Sequence, residues 1–407
     1  MTPAPARAPG PGTARTLLPM PRLRAPEGLG AASSRTDSEA GAGAGPDEAG
    51  AAASPGPGAL PTGLTDRYGR TVRDLRLSIT DRCNLRCTYC MPAQGLDWLD
   101  SASLLTADEI GRLARIAVTR LGVERIRITG GEPLMRRDLE EIISAIASLR
   151  TPGGAVPDIG LTTNGLGLDK RAAALRNAGL ARVNVSIDAL EREAYAALTR
   201  RDRLDDALAG AAAAQAAGLS PIKVNAVALP GTLHAQAPRL LAECLRRGWQ
   251  LRFIEHMPLG PRESWSADDV VGAEQILAAL SDAGFTLAEA GRPDRRPAAL
   301  WRVAAGEHDG AAHPAGSVGI IASVTAPFCA DCDRARITAD GRLMTCLFST
   351  TETDLRGPLR SGATDEDLMR VWAAAAWRKP LAHGSDDPAE LPSGFERPGR
   401  TMSAIGG

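Results

Sequence analysis

Leu75-Arg-Leu-Ser-Ile79-Thr-Asp81-Arg82-Cys83-Asn-Leu-Arg-Cys87-Thr-Tyr89-Cys90 joins a short alternating apolar run to three cysteines within eight residues. The run 75–79 reads as a β-strand that empties directly into a thiol-bearing loop. Five more β-branched segments follow, at 125–129, 159–162, 182–187, 222–229 and 251–255. Amphipathic stretches at 106–120, 138–149 and 168–178 lie between them, and Thr106 followed by Glu109 predicts a capping box for the first. Strand–helix alternation repeated six times predicts an α/β fold with a parallel sheet and right-handed crossovers. Eight repeats would close a full barrel. Six predict a partial, TIM-like β/α barrel open on one side, with a flat doubly wound sheet as the alternative.

Polar residues recur where these strands end. Asp81 and Arg82 follow the first strand; Gly130, Gly131 and Glu132 the second; Thr163 and Asn164 the third. Ser186 and Asp188 end the fourth, Lys223 and Asn225 interrupt the fifth, and Glu255 and His256 close the sixth. Any one of them could be a cap or a turn residue. Six in register predict one site, because the carboxyl ends of barrel strands converge on a common mouth.

The rest of the chain limits what that site serves. Over 407 residues the formal net charge is −1, so no global basic field recruits nucleic acid or anionic lipid. No apolar run reaches the length of a membrane span, and no secretory leader is evident. Residues 1–63 are rich in Ala, Gly, Pro, Ser and Arg, a composition that predicts a disordered, dispensable tail. Its arginines hint at a mitochondrial presequence, but its prolines oppose the helix such a signal needs. The expected division is this tail, a core domain over 64–290 and a C-terminal region over 291–407.

The seven cysteines fall into two triplets and Cys244, which an amphipathic helix makes a buried inert thiol. Three clustered thiolates select an iron–sulfur cluster, zinc or copper(I). In a four-iron cluster they would leave one iron open; a zinc knuckle completed by a distant His is the competing reading. Gly130-Gly131-Glu132-Pro133 allows close backbone approach and supplies a carboxylate able to accept from an ammonium group. The second triplet, Cys329-x2-Cys332-x13-Cys346, contains a hairpin turn at Ala339-Asp340-Gly341 that returns Cys346 to the first two. His383 could complete a zinc site there. Arg334 and Arg336 alternate with Ala335, so a strand would present both guanidiniums on one face, suited to an anion.

The C-x3-C-x2-C spacing with Tyr89 before the third Cys resembles the signature of the radical S-adenosylmethionine enzymes. Together with Arg76-Leu-Ser-Ile-Thr-Asp-Arg-Cys83, the second triplet with Arg334-x-Arg336, and Ile405-Gly406-Gly407, the pattern resembles the GTP 3′,8-cyclases from about Asp66 onward. These lyases open molybdenum-cofactor biosynthesis. The resemblance implies two [4Fe–4S] clusters, on Cys83, Cys87 and Cys90 and on Cys329, Cys332 and Cys346. It implies S-adenosylmethionine held at Tyr89, Gly131, Ser186 and Met257. It implies GTP held at Arg76, Arg127, Thr162, Lys223, Arg334, Ala335 and Arg336, and converted to (8S)-3′,8-cyclo-7,8-dihydroguanosine 5′-triphosphate. The implied partners are a low-potential donor such as flavodoxin or ferredoxin and a downstream cyclic pyranopterin monophosphate synthase, in the cytoplasm, with a homodimer compatible. Neither nucleic acid nor membrane is expected. Residues 1–63 have no counterpart in that family's core, and 291–316 aligns only loosely. A peptide-modifying radical enzyme with an auxiliary cluster, a zinc-binding module and a two-cluster electron carrier are the alternatives.

Overall fold

The computed structural model describes residues 60–293, 296–385 and 398–406. Most of the expected 1–63 tail and the terminal Gly407 lie outside the described residues.

The alternation read from the sequence is present. In chain order it comprises β1 (Asp74–Ser78), α1 (Ala107–Thr119), β2 (Arg125–Thr129), α2 (Leu139–Ala147), β3 (Asp158–Thr163) and α3 (Leu168–Asn177). It continues through β4 (Arg182–Ser186), α4 (Arg192–Thr199), α5 (Leu204–Ala216), β5 (Ile222–Ala228), α6 (Leu233–Arg247) and β6 (Gln250–Glu255). The sequence bounds differ by a residue or two. α1 starts with the expected capping box: Thr106 Oγ1 accepts from Glu109 N at 3.2 Å, and Glu109 accepts from Thr106 N at 2.8 Å.

What the repeat pattern did not disclose lies downstream. After α7 (Ala273–Asp282) come β7 (Leu287–Gly291), β8 (Ala299–Val303), the hairpin β9 (Gly306–His308) and β10 (Ala311–His313), and β11 (Gly316–Ile321). Next come β12 (Arg334–Ile337), β13 (Arg342–Met344), β14 (Thr353–Asp354), α8 (Arg356–Arg360), α9 (Asp365–Trp377) and α10 (Met402–Ile405). The main sheet runs β14-β13-β12-β1-β2-β3-β4-β5-β6-β11-β8-β7. Every pair from β12 to β11 is parallel. Two late strands therefore flank the six repeats, one on each side. Antiparallel strands bound both edges, so the sheet curls without closing.

Side-chain parity sorts the two faces. Leu75 and Leu77, Ile126 and Ile128, Ile159 and Leu161, and Val183 and Val185 are fully buried in one apolar core. The intervening Arg76, Arg127, Thr162, Asn184, Lys223 and Arg252 line the inner face. A parallel sheet covered on both sides would carry apolar residues on both; here one face is given over to the site. Cys244, on α6, is 3% exposed within the core, as expected.

Thr106→Ala removes one half of the capping box. The expected loss is about 1 kcal/mol of stability, read as a lower denaturant midpoint with an unchanged slope.

Candidate functional site

Two cavities lie inside the curl. The first is lined by Cys83, Cys87 and Cys90, and also by Tyr89, Gly130, Gly131, Ser186, Asp188, Met257 and the C-terminal Met402 and Ser403. All three thiols of the first triplet and the four positions expected at the cofactor thus share one cavity. The second cavity is lined by Arg76, Arg127, Lys223 and Arg334, and by Arg125, Arg182, Arg252 and Arg296. Thr162, Asn225 and Ile254 line both. The two spaces therefore meet at a common wall on β3, β5 and β6, toward the carboxyl ends of β3 and β6.

The thiol loop is held from several sides. Gly131 N donates to Thr80 O at 2.8 Å and Glu132 N to Arg82 O at 2.7 Å. A Cβ at Gly130, whose φ is 146°, would collide with the Thr80 carbonyl, and one at Gly131 with those of Asp81 and Arg82. The glycines thus serve backbone packing against the cysteine loop as well as lining the cavity. Glu132 is fully buried and spends both oxygens locally. It accepts from Leu134 N at 2.9 Å, Thr163 Oγ1 at 2.7 Å and Asn164 N at 2.7 Å, and burial pushes its carboxyl up to about 7. It braces the loop and does not line the cavity. Arg86 donates to Cys83 O and Leu85 O, and Arg200 to Arg86 O and Met91 O. Tyr89 Oη donates to Asp188 Oδ2 at 2.7 Å while Asp188 Oδ1 accepts from Val227 N at 2.9 Å. Asp188 thereby anchors Tyr89 on the wall of the first cavity. Asp81 accepts from Leu99 N at 2.6 Å and braces the loop instead of facing the cavity.

Burial raises the Cys83 thiol to about 11 and the Cys90 thiol to about 12. Their thiolates need positive charge beside them, which the iron ions of a cluster supply. Among the described residues no three His, Cys, Asp or Glu side chains converge closely enough to hold a single metal ion. His383, the candidate fourth ligand of a zinc site, has Nε2 3.1 Å from Ser323 O and its ring edge-on to Phe348.

The second triplet sits where β12 leaves its loop. Burial raises Cys329 to about 11. At Cys332 burial acts the same way, but the Arg334 guanidinium and the Lys379 ammonium outweigh it and bring the thiol down to about 6. Cys346 follows the β12–β13 hairpin, whose turn at 338–341 matches the sequence reading.

The basic cavity is an array of mutually repelling cations. Burial and Arg252, Arg182, Arg127 and Arg296 lower Lys223 to about 7; burial and Arg127, Arg182 and Arg296 lower Arg252 to about 9. Arg76 and Arg127 are lowered by the same two causes. Arg76, Arg127 and Arg252 each bury an Nε with no partner among the described residues. Unspent donors of this kind fit a multiply charged anion. Arg252 is aimed by Asn184 (2.8 Å), which also donates to Thr162 Oγ1 at 3.1 Å. Arg182 lies across Gly160, where a Cβ would leave it no room. Sequence reading missed Arg125, Arg182, Arg252 and Arg296. Strand parity counted back from Ser186 through Asn184 gives Arg182, so that signal was present for at least one.

Arg334 and Arg336 part company. Arg334 lines the basic cavity, with its guanidinium 4.4 Å above the Phe328 ring and Nη2 3.8 Å from Cys332 Sγ. Arg336 donates to Ile405 O at 2.8 Å and Gly406 O at 2.6 Å, so its charge holds the C-terminal tail. Ala335 points its methyl into the apolar core on the opposite face. Arg400 secures the tail further through Asp340 at 2.9 Å to each oxygen and through Glu352 at 2.9 Å.

Comparison with known proteins agrees with this geometry. Residues 77–243 match the Radical SAM superfamily and residues 249–385 match Molybdenum Cofactor Synthesis C. The chain is 55% identical over 345 residues to the GTP 3′,8-cyclase of Corynebacterium glutamicum, covering 84% of this chain and 89% of that one. It is 53% identical over 345 residues to the GTP 3′,8-cyclase of Mycolicibacterium smegmatis, covering 84% and 92%. Among solved structures it resembles Streptococcus suis SuiB bound to S-adenosylmethionine, with TM-score 0.54 and 15% identity over 78% of this chain and 68% of that one. That likeness concerns the fold.

Gly406 has φ 72°, and a Cβ there would strike Thr129 and Ser78. Gly406→Ala adds at least the 1–2 kcal/mol of a left-handed L-residue, which multiplies the detached population of the tail by about tenfold. Carboxypeptidase release of the last residues should accelerate by that factor, with little change in melting temperature.

Proposed function

Since this chain belongs to the GTP 3′,8-cyclase family, we propose that its two joined cavities hold the two halves of one reaction. It is a radical S-adenosylmethionine enzyme with a [4Fe–4S] cluster, and it acts on GTP in the first step of molybdenum-cofactor biosynthesis. The observation that carries the finer reading is the shared wall at Thr162, Asn225 and Ile254.

In this reading Cys83, Cys87 and Cys90 hold the first cluster, and Tyr89, Gly131, Ser186 and Met257 seat the cofactor beside it. Cys329, Cys332 and Cys346 hold a second [4Fe–4S] cluster. Bound together, cluster and cofactor supply a one-electron cleavage that produces an agent able to abstract hydrogen from C3′ of the ribose. The chain's own contribution is placement. Arg76, Arg127, Lys223 and Arg334 grip the triphosphate, joined by Arg182 and Arg252. The ribose then reaches the shared wall, within range of the first cavity. Arg336 acts through the tail, which it holds against Ser78 and Thr129. Held there, the tail keeps Met402 and Ser403 on the wall of the first cavity. The electron donor (flavodoxin or ferredoxin type), the downstream cyclic pyranopterin monophosphate synthase, the homodimer and the cytoplasmic setting belong to the same reading. Among the described residues no helix is long and apolar enough to cross a membrane.

The decisive experiment is anaerobic reconstitution with iron and sulfide analysis, followed by product detection. About eight irons per chain and a cyclised nucleotide support the reading; zinc without sulfide overturns it. Arg334→Ala should weaken GTP binding roughly tenfold to a hundredfold, the loss of one charge-assisted contact of about 1.5–3 kcal/mol, with both clusters retained. An affinity within about twofold of wild type would remove Arg334 from the triphosphate site.

Lys223 adds a pH signature. Its ammonium is lowered to about 7 by burial and by neighbouring cations, whereas a bound triphosphate favours the protonated form. Above pH 7 GTP binding should therefore take up a proton and weaken as pH rises. Titration calorimetry in buffers of different ionisation enthalpy should register uptake approaching one proton, lost in Lys223→Met.

A further inference from the structure

We propose that Lys379 is a positioning residue of the second cluster: its ammonium holds the Cys332 thiolate as an iron ligand and sets that cluster's reduction potential. The inference rests on the second-cluster reading given above, and it assigns a role to a residue that reading does not use.

Lys379 follows α9 and is 2% exposed. A buried lysine normally requires a paired carboxylate. Among the described residues, Lys379 Nζ donates to Cys332 Sγ at 3.4 Å and to Arg334 O at 2.5 Å. The anionic partner available to this ammonium is therefore a sulfur. The fold places it there through a second buried cation. Arg70 is paired with the fully buried Asp66 at 2.6 Å. It donates to Cys329 O and Leu381 O at 2.8 Å each and to Pro380 O at 2.7 Å. One guanidinium thus ties the thiol loop to the segment that carries Lys379, and fixes the separation between ammonium and Cys332. Arg334 also reaches Cys332 Sγ, but at 3.8 Å, and its guanidinium is shared with the Phe328 ring and the basic cavity. Lys379 makes the shorter contact.

Hydrogen bonds to cluster sulfurs and net local charge set the potentials of such clusters. A cation on a ligand thiolate stabilises the more electron-rich state and raises the potential. Lys379→Met keeps much of the apolar volume and removes the charge. Its second cluster should be at least tenfold harder to reduce, which is about 59 mV for a one-electron couple. Lys379→Arg keeps the charge and should stay much closer to wild type.

The test uses the full chain, anaerobically reconstituted and titrated with dithionite through redox mediators, with both clusters followed by electron paramagnetic resonance. A lowered potential confined to the second cluster in Lys379→Met, recovered in Lys379→Arg, supports the proposal. So does selective loss of about four irons in the Met variant with the first-cluster signal intact. Eight irons with both potentials unchanged in Lys379→Met overturns it. Should the Met variant fail to fold, Lys379→Gln gives the same readout. A wild-type chain that binds only about four irons would instead sink the second-cluster reading itself, an outcome distinct from the others.

Discussion

Gathering several cations inside one protein lumen is the constraint around which this structure is organised. Arg76, Arg127, Lys223 and Arg252 stand on inward positions of their strands, and burial together with nearby cations weakens each one's hold on its proton. Asp74 and Asp158 on the same wall offset only part of that repulsion. Uncompensated buried charge is costly, and strain of this kind persists only where the surroundings enforce it. Enforcement comes from the opposite face of the same strands. Leu75, Leu77, Ile126, Ile128, Val183 and Val185 are locked under the helices, and their packing fixes where the alternate residues point. An anionic substrate relieves the repulsion, so the unfavourable term in the free chain becomes a favourable one on binding.

The same economy of parts appears at the chain's end. β11 and β12 extend the parallel array on its two sides, and the last described residues return to the first cavity, which Met402 and Ser403 line while Arg336 holds Gly406. The two family regions, 77–243 and 249–385, divide between α6 and β6, inside one continuous sheet. The site accordingly draws on both regions. The thiols of the first triplet come from one, those of the second triplet from the other, and the basic cavity from each.

Both cysteine loops are held by cations acting on backbone carbonyls. Arg86 and Arg200 hold the first loop; Arg70 holds the second. Arg200 does this from a left-handed backbone, φ 55°, at the end of α4. A non-glycine residue in that region is a costed feature, and here it stands beside a functional loop.

The sequence by itself determined the βα alternation, the partial barrel, the helix cap at Thr106 and the two cysteine triplets. These are local properties: residue periodicity, side-chain capping and ligand spacing operate over a few residues. The residues proposed to seat the cofactor, Tyr89, Gly131, Ser186 and Met257, were legible only through motif resemblance, since a glycine or a methionine carries no signal of its own. Tertiary structure alone decided that β11 and β12 flank the repeats, that Arg336 binds the tail while Arg334 faces the basic cavity, and that Glu132 braces instead of lining. It also decided that Arg252 joins the basic wall and that Lys379 reaches Cys332. Each depends on contacts between residues far apart in the chain, or on which of several acceptors a long flexible cation meets. Periodicity assigns a face to such a side chain; only packing assigns it a partner.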